Sequence, residues 1–394
     1  MRNQIGQAVS GADFFDRPNV IRKIRRSLRN GNQVYLSAPR RVGKTSIMNF
    51  LLDNPEADEQ FVYVITQSID DANAFYRELA KAVMESPAFG KVSKASEALK
   101  KVVKGLLEHV TLKVSLPGFE VSTNNSQPLN FQLEFEKLLE AMDLDGLRLV
   151  IQVDEFTETL DNVLNTQGKE PARRFLQSFR ELMHNRKLTG RVQFLLTGSI
   201  GLQPLVKKLE SSDLINHLHV VDIPPLSDDE AADLLRRLLD EARVEMPEEP
   251  LRRVLTKIEW LMPFHVQLLA QELIDVYEST DQPLDDALAD RAFDQIFHHR
   301  NKIYFEQYYE RLKKRLGAGS DTKFAHAVLE RVALNPTVSK AETHDLAVKH
   351  EATAQYRATL ESLVYDGYLH ETPEGAYRFN SSILKTWWKK YVCS

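Results

Sequence analysis

The sequence predicts an α/β fold with a parallel sheet, because apolar, strand-like runs alternate with helical patterns through its first 225 residues. The chain has 394 residues, more than one ordinary core accommodates, so two or three domains are expected. Five runs have the composition of buried strands: Val34–Leu36, Phe61–Thr66, Leu147–Glu155, Val192–Thr197 and Leu218–Ile223.

The composition is that of a globular protein, with 43% hydrophobic and 27% charged residues. No apolar run reaches the roughly 18 residues of a membrane span, and Met1–Ser10 lacks a secretory signal pattern. The single cysteine, Cys393, excludes a disulfide framework and a cysteine-rich metal site, and it fits a reducing, cytoplasmic compartment. A net charge of −5 excludes a globally basic nucleic-acid binder but not a local basic patch.

The first candidate site follows the first predicted strand, where a basic loop leads through Gly-Lys-Thr into an apolar helical pattern. Strand, loop, GK[ST] and helix in this order predict a phosphate loop. Ala38 stands where the motif has its first glycine, so we expect a stiffer start of the loop. The predicted nucleotide-binding residues here are Pro39, Arg40, Arg41, Val42, Gly43, Lys44, Thr45 and Ser46.

Each residue type has a chemical reason at this spacing. Gly43 lets backbone N–H groups curl around a phosphate, and the helix N-terminus adds partial positive charge. Lys44 would reach the β- and γ-phosphates of ATP, and Thr45 would bind Mg²⁺. ATP and Mg²⁺ are therefore the expected ligands.

The second candidate site is the end of the strand Leu147–Glu155, which closes on two carboxylates. Ligands and metals in open α/β sheets collect at the carboxyl ends of the strands. Asp154 would order the Mg²⁺ shell, and Glu155 would act as general base on the attacking water.

The strand Val192–Thr197 ends at Thr197-Gly198-Ser199. A polar side chain here, Thr197 or Ser199, could sense the γ-phosphate or the attacking water, and Thr197 is our candidate for a catalytic role. A plain Thr-Gly-Ser turn is the alternative interpretation.

Two other segments leave alternatives open. No acidic residue occurs between Arg17 and Lys44, so the helix around Val20–Leu28 has either a solvated basic face or an anionic partner. Residues 87–127 interrupt the α/β pattern with a helix (Lys94–Leu107) and a predicted hairpin (Val110–Leu116 and Phe119–Thr123). Packing is the default role of this insertion, over partner binding or DNA contact.

The pattern beyond residue 225 is helical. We predict a phosphate-binding core at 1–225 with the insertion, a helical lid at 226–285, a connecting helix and linker at 286–320, and a winged helix at 321–394. Within these, Ala287–Leu316 is expected to be one long helix.

Taken together, these motifs resemble the archaeal-type and STAND P-loop ATPases of the AAA+ assemblage, relatives of the origin-recognition proteins. The resemblance rests on Phe14–Arg17, the loop at 38–46, VIQVDEF, LLTGS, the PPLS segment at 224–227, MPFHVQLL and the terminal YRFNSSILKTWW. It implies a P-loop NTPase parallel sheet core, a helical lid and a C-terminal winged-helix domain.

The resemblance also implies roles for individual residues. Phe15 and Arg17 would lie against adenine, and Pro263 would contact the base. His265 lies near the position of a second sensor arginine in relatives, and it is not an arginine. Arg186 and Arg191 are candidates for an arginine finger.

The function that follows is an ATP-dependent switch whose nucleotide state controls self-association or a separate effector protein. A role in prokaryotic defence is an expectation by analogy only. The alternative is an ATP-dependent DNA loader, favoured by the basic residues of the first helix, Arg311–Arg315 and Lys385–Lys390. Nucleic acid therefore stays open as a partner, and no membrane is expected.

Overall fold

The computed structural model describes residues 1–87, 89, 96–110, 112, 128–199, 201–317 and 319–393. These residues form two compact units. Unit 1 consists of Met1–Phe15, Ala38–Gly43 and Pro224–Ser394, and unit 2 consists of Asp16–Ser37 and Lys44–Ile223. The division differs from the predicted domains, because the first 15 residues and the phosphate loop cluster with the C-terminal helices.

Unit 2 contains a five-stranded parallel sheet in the order β2-β3-β4-β1-β5. All five predicted strands are confirmed, with ends that differ from the predicted ones by at most two residues. Because β4 lies between β1 and β3, the carboxyl end of β4 adjoins both predicted motif strands. The strands are β1 (Gln33–Ser37), β2 (Glu59–Ile65), β3 (Arg148–Asp154), β4 (Val192–Thr197) and β5 (Leu218–Asp222).

Helices cover this sheet, and they form where apolar residues recur at helical spacing. The described helices of unit 2 are α1 (Pro18–Arg29), α2 (Lys44–Asp53), α3 (Ala72–Glu85), α4 (Glu97–Leu107), α5 (Phe131–Ala141), α6 (Phe156–Gln167), α7 (Lys169–Met183) and α8 (Leu202–Lys208). We had not predicted α5, α6 or α8. The α6 sequence has several Thr and Asn residues, which are weak helix formers, and tertiary packing of Phe156 and Leu160 overrides that preference.

The core of unit 2 is aromatic at its centre. The ring of Phe75 on α3 makes edge contacts with Phe156, Phe175 and Phe179, at centroid distances of 5.9, 5.0 and 5.3 Å. Such edge-to-face pairs add to the free energy gained by burying the rings. The helices α3, α6 and α7 are thereby fixed to one another next to the strand ends that carry the candidate site.

Unit 1 is helical apart from one short hairpin, and one hydrophobic core runs through it from Leu226 to Trp388. Its described helices are α9 (Asp228–Glu241), α10 (Glu248–Thr256), α11 (Pro263–Thr280), α12 (Asp286–Gln295), α13 (Lys302–Leu316), α14 (Ser320–Leu334), α15 (Lys340–Lys349), α16 (Tyr356–Tyr365) and α17 (Ser382–Tyr391). A capping box between Ser227 and Glu230 begins α9.

The prediction of one long helix at Ala287–Leu316 was wrong, because the chain breaks between α12 and α13. His298 is extended, with ψ 158°. The side-chain amide of Asn301 donates to the carbonyl of Gln295 and to the buried carboxylate of Glu272, at 3.2 and 2.8 Å. Asn301, which lies in the break, thereby supplies a hydrogen-bond partner to the buried carboxylate of Glu272.

The C-terminal part of unit 1, from α14 onward, combines helices with a hairpin. Helices α14, α15 and α16 precede an antiparallel hairpin of β6 (Leu369–Glu371) and β7 (Tyr377–Phe379), and α17 follows. A bridge between Val338 and Tyr377 adds a further short pairing. This order is compatible with a winged helix, which stays a prediction.

Some predictions lie outside the described residues. The hairpin predicted in the insertion, Val110–Leu116 and Phe119–Thr123, falls almost wholly there, as do the side chains at 313–315. Among the described helices, none is both long and apolar enough to cross a membrane.

Candidate functional site

The predicted phosphate loop has the backbone conformation that its sequence requires at the glycine. Gly43 has φ +95°, and a Cβ built on it would meet no atom within 4 Å. Its conformation belongs to the left-handed region that favours glycine. Lys44 follows as the first residue of α2, with only 7% of its surface exposed. The start of α2 carries the partial positive charge of a helix N-terminus, which attracts anions.

Asp154, at the carboxyl end of β3, is the centre of the candidate site in unit 2. Three hydroxyls donate to its carboxylate: Thr45 at 2.8 Å and Tyr63 at 2.9 Å to Oδ2, and Thr197 to Oδ1. The carboxylate is 2% exposed, so these bonds replace its water contacts. The structure thus brings Thr45, Asp154 and Thr197, each predicted from a separate motif, into direct contact.

Tyr63 is a residue that sequence reasoning missed. It lies on β2, and burial together with the nearby charge of Asp154 raises the pKa of its hydroxyl above the ordinary value. Tyr63 is therefore a neutral donor at physiological pH. The one available signal was its polar tip within an otherwise apolar strand, Phe61–Ile65.

Glu155 lies directly after β3, in a left-handed backbone conformation with φ 62°. Its Oε2 accepts a hydrogen bond from the backbone N–H of Ser199 at 2.8 Å. The backbone N–H of Glu155 donates to the Thr197 hydroxyl at 3.2 Å. The end of β4 therefore positions both carboxylates, because Thr197 contacts Asp154 and Ser199 contacts Glu155.

Gly198 makes this close approach of β4 to α6 possible. A Cβ at this position would lie 1.8 Å from Oγ1 and 2.7 Å from Cβ of Thr157. No side chain fits there, so a glycine between Thr197 and Ser199 is sterically required. The hydroxyl of Ser199 donates to Glu158, a second α6 carboxylate that the sequence motifs did not single out.

A buried glutamine connects the two motif segments. The side chain of Gln152 on β3 donates to the carbonyl of Met48 on α2 at 3.0 Å. Buried amides are found where they make such bonds, so a Gln inside an apolar strand was a readable signal. The bond fixes the helix that begins with Lys44 against the strand that ends with Asp154.

The predicted base-contacting residues of the lid lie in unit 1. Pro263 is the first residue of α11, and His265 is buried with its Nδ1 3.2 Å from the carbonyl oxygen of Trp260. Burial lowers the pKa of His265 to about 4, so the ring is neutral at physiological pH. It does not supply the positive charge of a sensor arginine. The ring of Phe15 lies 5.5 Å from the guanidinium of Arg237.

The predicted arginines of unit 2 lie in different places. Arg17 is buried at the start of α1. Arg186 and Arg191 precede β4, and the Arg191 guanidinium donates to the carbonyls of Lys187 and Met142. At about 3.3 Å per residue, Arg191 is roughly 20 Å along the strand from Thr197. Arg191 therefore lies at the opposite end of β4 from the Asp154 site of its own chain.

Asp154 and Thr45 suit Mg²⁺, whose remaining ligands can come from substrate phosphates, better than a metal whose ligands all come from the protein. Among the described residues, no group of three or more His, Cys, Asp or Glu side chains could hold a metal. Mg²⁺ is usually bound through one or two carboxylate or hydroxyl oxygens together with substrate phosphates. The Thr45 hydroxyl and the Asp154 carboxylate are hard oxygen donors already in contact, so they fit this ion.

Comparisons with known proteins agree with this geometry at the level of fold. A Walker-type ATPase of Pyrococcus abyssi superposes with a TM-score of 0.65 at 17% identity, covering 99% of this chain and 100% of that one. The ORC2 protein of Aeropyrum pernix, in its ADPNP-ADP complexes, superposes with a TM-score of 0.51 at 13% identity, covering 100% and 97%. No protein-family model matches the chain, and no curated protein matches it.

The parallel sheet with β4 between the two motif strands defines a P-loop NTPase fold of the AAA+ type. Both superpositions cover nearly the whole chain, so the likeness in fold includes the helical C-terminal region.

Proposed function

We propose that this protein binds ATP with Mg²⁺ and hydrolyses it to ADP and phosphate. The observation that carries the proposal is the contact of Asp154 with Thr45 and Thr197, which joins three independent sequence motifs at one strand edge. Phosphoryl transfer needs positioning and charge stabilisation more than covalent chemistry, and this cluster provides oxygen ligands beside a phosphate loop.

Each residue then has a defined task. Lys44 would bind the phosphate oxygens, and Thr45 and Asp154 would hold Mg²⁺, which neutralises phosphate charge. Glu155 would accept the proton of the attacking water, and Ser199 holds its carboxylate by the backbone N–H. Thr197 is buried, and its hydroxyl donates a hydrogen bond to Asp154. This bond supports a role for Thr197 in positioning the Asp154 carboxylate. The direct test is phosphate release from ATP by the purified chain, compared with Lys44→Ala and Glu155→Gln.

We further propose that hydrolysis operates a molecular switch of the STAND/AAA+ kind. A finger from Arg186 or Arg191 would have to act on a neighbouring copy, since both precede β4 and Thr197 ends it. This supports nucleotide-controlled self-association. In this proposal the effector is a separate protein, and the role in prokaryotic defence rests on analogy alone.

For such a switch, the mass of the particle should depend on the nucleotide. We expect a larger assembly with a non-hydrolysable ATP analogue than with ADP, because the finger would complete the site only around a triphosphate. Light scattering after size-exclusion chromatography measures the mass. Arg186→Ala and Arg191→Ala, made separately, identify the finger, and equal masses in both nucleotides would contradict the switch.

An ATP-dependent DNA loader is the second candidate, and one observation favours it. Arg22, Lys23 and Arg26 on α1 are exposed, and no ion pair to them occurs among the described residues. The other two cations of this face are paired with two carboxylates, since Arg25 contacts Glu56 and Glu59 and Arg29 contacts Glu56. Only three charges are thus left for phosphate contacts.

A duplex-DNA gel shift separates the two functions. If the three free cations each contact a phosphate, affinity should fall about 40-fold between 50 and 200 mM salt. The triple variant Arg22→Ala, Lys23→Ala and Arg26→Ala should abolish this salt dependence. Under the switch proposal we expect no ATP-dependent shift, and a steep, ATP-dependent one would favour the loader.

A further inference from the structure

Arg41, inside the phosphate loop, has an unusual surrounding for a basic residue next to a predicted phosphate site. Its guanidinium carbon lies 3.8 Å from the centroid of the Phe264 ring, 5.7 Å from that of Tyr308 and 5.9 Å from that of Tyr304. We call these three rings the aromatic box. All four residues belong to unit 1.

The backbone of Arg41 is in the left-handed region, with φ 65°. A glycine would adopt this conformation at lower cost, so the arginine side chain has to offset the difference. A guanidinium over an aromatic ring gains most when water is excluded. Here burial lowers the pKa of Arg41, and its Nη1 is buried without a hydrogen-bond partner in the described part of the chain.

A second loop residue is held by the same unit. A Cβ on Gly367, in the turn between α16 and β6, would lie 3.1 Å from Cβ of Pro39 and 2.4 Å from the Trp260 ring. Pro39 therefore packs closely on this turn, two residues before Arg41. The phosphate loop is anchored at both residues to the helices that follow residue 224.

We propose that Arg41 is a positioning residue: its guanidinium, bound in the aromatic box, holds the phosphate loop in the conformation that binds nucleotide. The inference rests on the proposed ATP binding. An anchored loop loses less conformational freedom when it closes on a phosphate, so affinity rises without a new contact to the ligand. By linkage, nucleotide binding stabilises the aromatic box to the same extent.

The test is a double-mutant cycle in nucleotide affinity. Arg41→Gly suits the backbone and removes the guanidinium, and Phe264→Leu removes the ring at 3.8 Å. We expect each variant to bind a fluorescent ADP analogue about tenfold more weakly, and the double variant to be no weaker than either one. Arg41→Lys keeps a cation over the ring and should retain part of the affinity.

Arg243 provides a matched control. It also has a left-handed backbone, with φ 57°, and it is exposed. Arg243→Gly makes the same chemical change away from the loop and should leave the affinity unchanged.

The outcomes separate the two proposals. The positioning role is refuted if Arg41→Gly binds nucleotide as tightly as the natural protein. It is also refuted if the losses of affinity caused by Arg41→Gly and Phe264→Leu add in the double variant. If Lys44→Ala also binds normally, the proposed ATP site fails as well. Thermal unfolding of each variant, measured without nucleotide, shows whether a loss of binding reflects loss of the fold.

Discussion

Lys44→Ala should weaken the binding of ATP about 10- to 100-fold, because it removes a charge-assisted bond to the phosphates. Lys44 is the first residue of α2, and its side chain is almost entirely buried. A buried ammonium next to a bound polyphosphate acts in a medium of low dielectric, where its charge counts more than in water. Isothermal titration with a non-hydrolysable ATP analogue measures the change.

The fold should survive this substitution, since alanine is a good helix former and the bond of Gln152 to Met48 still holds α2 against β3. Lys208→Ala, at the exposed end of α8, is a control for loss of a lysine in the same unit. It should bind ATP normally. Unaltered affinity of Lys44→Ala would refute the phosphate loop, and with it the proposed function.

The sheet and the site's main residues were predictable because their signals are local. An apolar run followed by Gly43 and Lys44 specifies strand, loop and helix within a dozen residues. Asp154 was readable because parallel strands bring their carboxyl ends to one edge. The Thr45 hydroxyl lies 2.8 Å from the Asp154 carboxylate, as expected if the two belong to one site.

What the sequence did not reveal depends on contacts between distant segments. Tyr63 reaches Asp154 only because β2 pairs with β3 in a register that no local pattern sets. Gly198 resembled an ordinary turn residue, and its close contact with Thr157 follows from how α6 packs on β4. The break between α12 and α13 was not predictable, because apolar residues around Ile296 keep helical spacing. The bond of Asn301 to Glu272, on another helix, has no signal in that local pattern.

The clustering of the phosphate loop with the C-terminal helices was equally unpredictable. Nothing in the loop sequence indicates that Arg41 meets Phe264, which is more than 200 residues away in the chain. Sequence reasoning assigned Arg41 to the nucleotide by its position in the motif. Its aromatic surroundings are the reason to assign it to loop positioning instead.

Glu155→Gln should separate binding from chemistry. We expect phosphate release to fall about 10²- to 10⁴-fold, the usual contribution of a general base, with ATP affinity close to that of the natural protein. The substitution keeps the size of the side chain, and a glutamine oxygen can still accept the Ser199 N–H. A single-turnover assay with radiolabelled ATP measures the rate independently of product release.

The neighbouring Glu158 makes the experiment discriminating. The Glu158 carboxylate accepts a hydrogen bond from the hydroxyl of Ser199, so Glu155 and Glu158 both contact Ser199. If Glu155 is the base, Glu158→Gln should keep most of the activity, because only the support of Ser199 is weakened. The reverse result would assign the base to Glu158. Unchanged phosphate release in both variants would refute a general-base role for either carboxylate. No release by the natural protein itself would mean that the protein uses nucleotide as a structural ligand.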